Sequence, residues 1–140
     1  MAARDTLVPV RFLAMLGHLL AVLLLFFARR DNVLVALRFN YSDSEYDAAD
    51  SSLVICLLLM LACLCVAAFG FFGGFTMFDS TSSIIHIVCH FTGGLLLSII
   101  VIRKAHYVYA WFVFSVFSVV PLICELVCIS SVVMLKRRRW

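Results

Sequence analysis

The stretch LVICLLLMLACLCVAAFGFFGGFTMFDSTSSIIHIVCHFTGGLLLSIIVI, residues 53–102, decides the fold of this chain. Asp79 is the only formally charged side chain in these fifty residues. A helix crosses a hydrocarbon core about 30 Å thick with about 20 apolar residues, so the stretch is too long for one span and suits two. The polar run Asp79-Ser80-Thr81-Ser82-Ser83 favours a turn and a capped helix that begins at about Ser83. We therefore predict a transmembrane helical hairpin.

The composition of the whole chain agrees with membrane insertion. Of its 140 residues, 65% are hydrophobic and 14% are charged, whereas soluble domains carry about 25% charged residues. The formal net charge of +3 comes from basic residues at the ends of apolar segments, which does not indicate nucleic-acid binding. The six cysteines fall in apolar segments, where thiols behave as small apolar side chains, and they lack the spacing of a zinc site. We predict an all-α membrane protein without a cofactor.

Two further apolar segments extend the hairpin to four spans. Pro9 suits the first turn of a helix, and the apolar segment after it ends at Arg29-Arg30. We interpret this segment as a retained first span, with a cleaved signal peptide as the alternative. The predicted spans cover about 10–28, 53–75, 83–102 and 108–135. Pro121 is expected to kink the last helix, and an even number of spans places both termini on one side of the membrane.

The charges at the span ends predict which side that is. Cytoplasmic termini place six of the eleven Lys and Arg residues inside, a weak positive-inside bias; these six are Arg4, Arg11, Lys136, Arg137, Arg138 and Arg139. The non-membrane segment 29–52 then faces outward, with three basic and five acidic residues and a net charge of −2. It contains a possible N-glycosylation site at Asn40. The basic tail, 136–139, is either a topology signal or a contact for anionic lipid.

Four titratable side chains fall inside the predicted spans: His18, His86, His90 and Glu125. A charged group in the membrane costs at least a few kcal/mol, so each of them needs a partner or a function. His18, His90 and Glu125 share a depth of about 11–15 Å from the terminal side at about 1.5 Å per residue. We predict that Glu125 faces the bundle interior and pairs with His18 or His90 as a polar pin. His86, near the predicted start of its span, is expected at the membrane interface.

The same pin residues permit a second hypothesis, a small proton-coupled or cation transporter. The two hypotheses differ on the substitution Glu125→Gln, which should inactivate a carrier and leave a hydrogen-bonded pin largely intact. Catalysis is not indicated, because the spans contain no His-Glu-x-x-His motif, no facing pair of aspartates and no Ser/His pair suited to hydrolysis. We predict that the protein is not an enzyme and has no small-molecule substrate.

Several short sequence segments, taken in their order along the chain, resemble a known family. They are Leu7-Val-Pro-Val-Arg-Phe-Leu13, Glu45-Tyr-Asp47 with Asp50, Met77-Phe-Asp-Ser-Thr-Ser-Ser-Ile84, His90, and Val120-Pro-Leu-Ile-Cys-Glu125. Together, and over nearly the whole chain, they resemble the transmembrane protein 107 family of small tetraspan proteins of the ciliary transition zone. A tetraspan trafficking adaptor without a ciliary location is a further alternative.

The resemblance implies a structural role in the transition-zone membrane at the base of the cilium. It implies a component of the Meckel-syndrome module, which helps to recruit or retain tectonics and other module proteins. That module restricts the entry of membrane proteins into the cilium and supports ciliogenesis and ciliary signalling. The acidic segment with Glu45, Tyr46, Asp47 and Asp50 is the expected partner-contact loop, and the bilayer is the other expected partner.

Overall fold

The protein folds as a bundle of long helices. A computed structural model describes residues 2–76 and 79–137, and within them the secondary structure is helical without strands. The first three helices are α1 (Ala2–Leu34), α2 (Asp43–Phe72) and α3 (Ser80–Ile102). The last rod consists of α4 (Val108–Val113), a π-helical turn (Phe114–Ser118) and α5 (Val119–Arg137).

Four segments of the described chain are long and apolar enough to cross a membrane. They are Thr6–Leu34, Asp43–Phe72, Ser80–Ile102 and Val108–Val132. This confirms the predicted all-α membrane fold with four spans. The side of the membrane on which the termini lie stays a prediction, and the side chains of the basic tail, 136–139, lie outside the described residues.

Two helices begin earlier than predicted because their capping residues stand further upstream. The side chain of Ser42 accepts a hydrogen bond from Glu45 N at 3.3 Å, and Ser42 N donates to Glu45 Oε2 at 2.9 Å. This capping box starts α2 at Asp43, so the acidic segment predicted as a loop forms the first turns of a helix. The carboxylate of Asp79 accepts from Ser82 N at 2.8 Å and starts α3 at Ser80, rather than at the predicted Ser83.

The helices pack through small residues and a continuous apolar core. The most extensive interface joins α1 and α3, and at Gly94 a Cβ atom would stand only 3.2 Å from His18 Cα. Small residues favour association inside a membrane because they let helix backbones approach closely. The core around this interface contains large side chains that are fully or almost fully buried, including Val22, Leu25, Leu53, Leu57, Met60 and Leu97.

The fourth rod contains the proline that was expected to kink it. In a regular helix, the missing N–H of Pro121 would have bonded to the carbonyl of Phe117, four residues earlier. Phe117 lies inside the π-helical turn, where the backbone bonding pattern already departs from that of an α-helix. The irregularity in this rod therefore precedes the proline, and the kink itself stays a prediction.

A buried asparagine ties the end of α1 to the connection between α3 and α4. Asn32 is fully buried, and its Nδ2 donates to Ile100 O at 2.9 Å and to Ala105 O at 2.7 Å. The neighbouring Asp31 forms an exposed ion pair of 2.8 Å with Lys104, whose φ of 47° is left-handed. The side-chain amide of Asn32 thus links the end of α1 to the end of α3 and to the connection that follows it.

We expect Asn32→Ala to lower the free energy of unfolding by about 1–3 kcal/mol, because two buried carbonyl groups lose a donor. Denaturant titration of helicity in detergent micelles measures the change. Asn40→Ala is the matched control, since Asn40 is exposed and its replacement should leave stability unchanged. Equal stabilities for the two variants would show that the Asn32 bonds contribute little.

A buried polar network as the candidate functional site

Glu125 of α5 is the centre of a polar network inside the bundle. Its side chain is fully buried, and three groups approach its carboxylate. Arg11 Nη2 of α1 donates to Oε2 at 2.9 Å. The hydroxyl of Thr76, in the connection between α2 and α3, donates to Oε1 at 2.7 Å. His86 Nε2 of α3 lies 2.9 Å from Oε2, so the carboxylate of α5 contacts α1, the connection between α2 and α3, and α3.

Arg11 supplies the positive charge of this network. Its guanidinium is fully buried and also donates to the carbonyl and hydroxyl oxygens of Thr76 at 3.2 and 3.1 Å. The ring of Phe71 lies 5.3 Å from the guanidinium carbon and adds a cation–π contact. Arg11 was assigned to the cytoplasmic flank of the first span, and the structure corrects this. A buried carboxylate calls for a cation, but Arg11 stands only one residue inside the predicted first span, so the predicted depths did not match it with Glu125.

Three histidines extend the network from Glu125 toward the interface of α1 and α3. His86 Nδ1 lies 3.3 Å from His90 Nε2, and His90 Nδ1 lies 3.0 Å from His18 Nδ1. All three side chains are buried. The predicted direct pairing of Glu125 with His18 or His90 is wrong, because His86 stands between them.

The expected interfacial position of His86 is also wrong. Since α3 begins at Ser80, His86 lies six residues into the helix rather than near its start. His86 and His90 are one turn apart and so share a helix face. That face points into the bundle, where both rings are buried. The pin residues His18, His90 and Glu125 thus belong to one network, and their functional role stays a prediction.

The position of the Glu125 carboxylate indicates which ring nitrogen of each neutral histidine carries the proton. The nitrogen of His86 that faces the carboxylate, Nε2, carries the proton, so His86 Nδ1 accepts from His90 Nε2–H. His90 Nδ1 then accepts from His18 Nδ1–H. Two ring nitrogens, His18 Nε2 and His86 Nε2, are buried without a hydrogen bond of good geometry in the described part of the chain, although His86 Nε2 lies 2.9 Å from Glu125 Oε2. The chain therefore orders three neutral imidazoles and ends inside the bundle.

Gly70 creates the space for the carboxylate. A Cβ atom on Gly70 would overlap Glu125 Oε1, so any other residue type would displace the Glu125 side chain from its present position. The carbonyl of Gly70 also accepts from Phe75 N at 3.1 Å and from Thr76 N at 3.4 Å. These two bonds turn the chain back so that Thr76 reaches Glu125.

The residues predicted for partner contact lie at the other end of the first two helices. Glu45 and Asp47 are exposed, Tyr46 is partly buried, and Asp50 pairs with Arg29 at 2.9 Å. Asn40, the possible glycosylation site, is exposed in the loop 35–42. None of these residues touches the buried network, and within the described residues no group of three or more His, Cys, Asp or Glu side chains is arranged to hold a metal ion.

Fold and network together define a polytopic α-helical membrane protein whose spans are joined by a buried ion pair. The TMEM107 family model, described as a transmembrane protein, matches residues 7–129. The chain belongs to the transmembrane protein 107 family, which confirms the resemblance.

Curated relatives extend over nearly the whole chain. Transmembrane protein 107 of Mus musculus is 34% identical over 132 residues, which cover 94% of each chain. The Homo sapiens protein of the same name is also 34% identical with the same coverage. The Xenopus laevis protein is 30% identical over 138 residues, 99% of each chain. No solved structure matches this chain.

We expect Gly70→Ala to destabilise the bundle by about 1–3 kcal/mol or more, because the new methyl group displaces the Glu125 carboxylate. Gly17→Ala is the matched control, since a Cβ atom at Gly17 would meet nothing within 4 Å. Its stability should equal or slightly exceed that of the parent, as alanine favours the helix. Thermal unfolding in detergent compares the two variants. Equal losses of stability would contradict the steric role of Gly70.

We expect Glu125→Gln and Arg11→Met each to destabilise the protein by about 3–5 kcal/mol, because each leaves a buried charge without its partner. The double variant removes both charges and should be more stable than either single variant. Denaturant titrations of the four proteins form the thermodynamic cycle. A double variant whose loss equals the sum of the single losses would show that the two side chains do not interact.

Proposed function

We propose that this protein is a non-enzymatic structural component of the ciliary transition zone. In this role it helps to recruit or retain proteins of the Meckel-syndrome module, such as tectonics, in the membrane at the base of the cilium. It thereby supports ciliogenesis, ciliary signalling and the control of ciliary membrane composition. Its membership of the transmembrane protein 107 family supports this role.

The proposal rests on the pairing of the charged side chains that are buried inside the bundle. Arg11 and Glu125 are fully buried and form an ion pair, and the buried ring of His86 contacts the same carboxylate. Charged groups that serve transport face a cavity or pathway for water and ions, whereas these charges neutralise each other and join the helices. A network of this kind supports a bundle of fixed shape, which is what a scaffold needs.

The first turns of α2 offer a surface to partners outside the membrane. Glu45 is exposed, but its carboxylate belongs to the capping box with Ser42. Asp47 is exposed on the same turns and takes no part in that cap. Asp47 is therefore the acidic residue of the predicted contact loop that partners reach without disturbing the helix start.

The chain of titratable groups favours a second candidate, a small proton-coupled or cation transporter. It runs from Glu125 through His86 and His90 to His18 with separations of 2.9, 3.3 and 3.0 Å. Glu125→Gln alone does not discriminate the two functions, as the sequence suggested, because it leaves Arg11 without a counter-charge. The double variant Arg11→Met, Glu125→Gln discriminates the two functions. With both charges removed, a scaffold should keep its location and partners, whereas a carrier should lose transport.

We expect a tagged copy of the protein in ciliated cells to form a ring just above the basal body. Imaging must separate the basal body, the transition zone and the axoneme. The ring should disappear when other module proteins are removed, because the protein is held there by its partners. Diffuse staining of the endoplasmic reticulum or plasma membrane, with normal cilia after deletion of the gene, would overturn the proposal.

A further inference from the structure

A pocket of about 370 Å³ lies at the end of the bundle that carries the loop 35–42. The end of α1, this loop and the start of α2 form its walls. Its lining residues are Arg30, Leu34, Tyr41, Asp43 and Tyr46. None of them takes part in the buried network around Glu125, and of the five only Tyr46 packs against the apolar core.

The position of the pocket along the helices places it in the headgroup layer of the bilayer. Arg30 lies two positions, or about 3 Å along the helix, beyond Ala28, where the long uncharged run of α1 ends. Tyr46 precedes Leu53, where the apolar part of α2 begins, by seven positions, or about 10 Å. The headgroup layer adds about 5–8 Å to each side of the hydrocarbon core. Arg30 therefore lies on the inner side of this layer, and Tyr46 lies just beyond its outer boundary.

The inner wall of the pocket suits a phosphate group. A guanidinium presents several N–H donors in a plane and binds phosphate oxygens through two of them at once. The neighbouring Arg29 is already engaged with Asp50 at 2.9 Å, and Lys104 with Asp31 at 2.8 Å. Arg30, by contrast, forms no ion pair with any described side chain, so its charge is available to a ligand.

The outer wall suits a quaternary ammonium group. The rings of Tyr41 and Tyr46 have centroids 6.3 Å apart and are inclined by 35°. Aromatic faces attract cations, and recognition of choline by aromatic side chains is a known use of this attraction. Asp43 lines the same pocket and adds a negative charge.

We propose that this pocket binds the phosphocholine headgroup of a bilayer lipid. The phosphate contacts Arg30, and the trimethylammonium group lies against Tyr41, Tyr46 and Asp43. The order of charges supports this ligand, because a lipid anchored by its acyl chains carries its phosphate nearer the hydrocarbon core than its choline. An anionic headgroup would satisfy Arg30 and meet repulsion from Asp43.

Native mass spectrometry of the detergent-solubilised protein tests the proposal with four lipids added singly. Phosphatidylcholine and sphingomyelin share the headgroup and should both bind. Phosphatidylethanolamine and phosphatidylglycerol should bind at least about two- to fivefold more weakly, the range expected for one exposed cation–π contact. Stronger binding of phosphatidylglycerol, or binding of only one choline lipid, would overturn the proposal.

Substitutions assign the binding to this pocket. Tyr41→Leu should weaken phosphatidylcholine binding about two- to fivefold, whereas Tyr41→Phe, which keeps the aromatic face, should preserve it. Arg30→Gln should weaken the binding of both choline lipids. The matched controls, Tyr109→Leu and Arg38→Gln, change exposed residues outside the pocket and should bind as the parent does. The main test uses Tyr41 because Tyr46 packs against the core. Unchanged binding in both Tyr41→Leu and Arg30→Gln would overturn the assignment.

Discussion

The bundle depends on one ion pair that is shielded from water, Arg11 with Glu125 at 2.9 Å. A single charge in the hydrocarbon region is costly, and a partner of opposite charge with further hydrogen bonds offsets that cost. Thr76 and His86 complete the set of contacts to the carboxylate. Because these side chains come from two other spans and from the connection between α2 and α3, the need to satisfy one carboxylate also specifies how the spans are arranged.

Glycine makes this arrangement possible at two levels of the bundle. Gly70 leaves room for the carboxylate of Glu125, and Gly93 leaves room for His18 and Phe117, each of which has an atom 2.9 Å from where a Cβ atom would stand. Phe117 belongs to the π-helical turn, so the irregular part of the fourth rod packs at the end of the histidine chain. The polar network and the close approach of the helices therefore depend on the same small residues.

The polar groups of the protein serve different purposes at its two ends. Beside the connection between α2 and α3, charges are buried and satisfied within the chain. Beside the loop 35–42, Arg30, Tyr41 and Asp43 are exposed and Tyr46 is partly buried around the pocket that we propose to lie at the height of the lipid headgroups. The proposed scaffold role therefore assigns these two ends different tasks, with helix packing at the first and recognition at the second.

The number of spans, the hairpin and the burial of Glu125 followed from the sequence, because apolar length and an isolated intramembrane charge are local properties. The helix ends were less predictable, since other Ser, Thr and Asp residues near Ser42 and Asp79 could also have served as N-caps. The partner of Glu125 was decided by the tertiary structure alone. Spans that are apolar on all sides carry no amphipathic signal for their rotation about the helix axis. That rotation determines whether Arg11, His86 or His18 faces the carboxylate, and it is set only when the four helices pack.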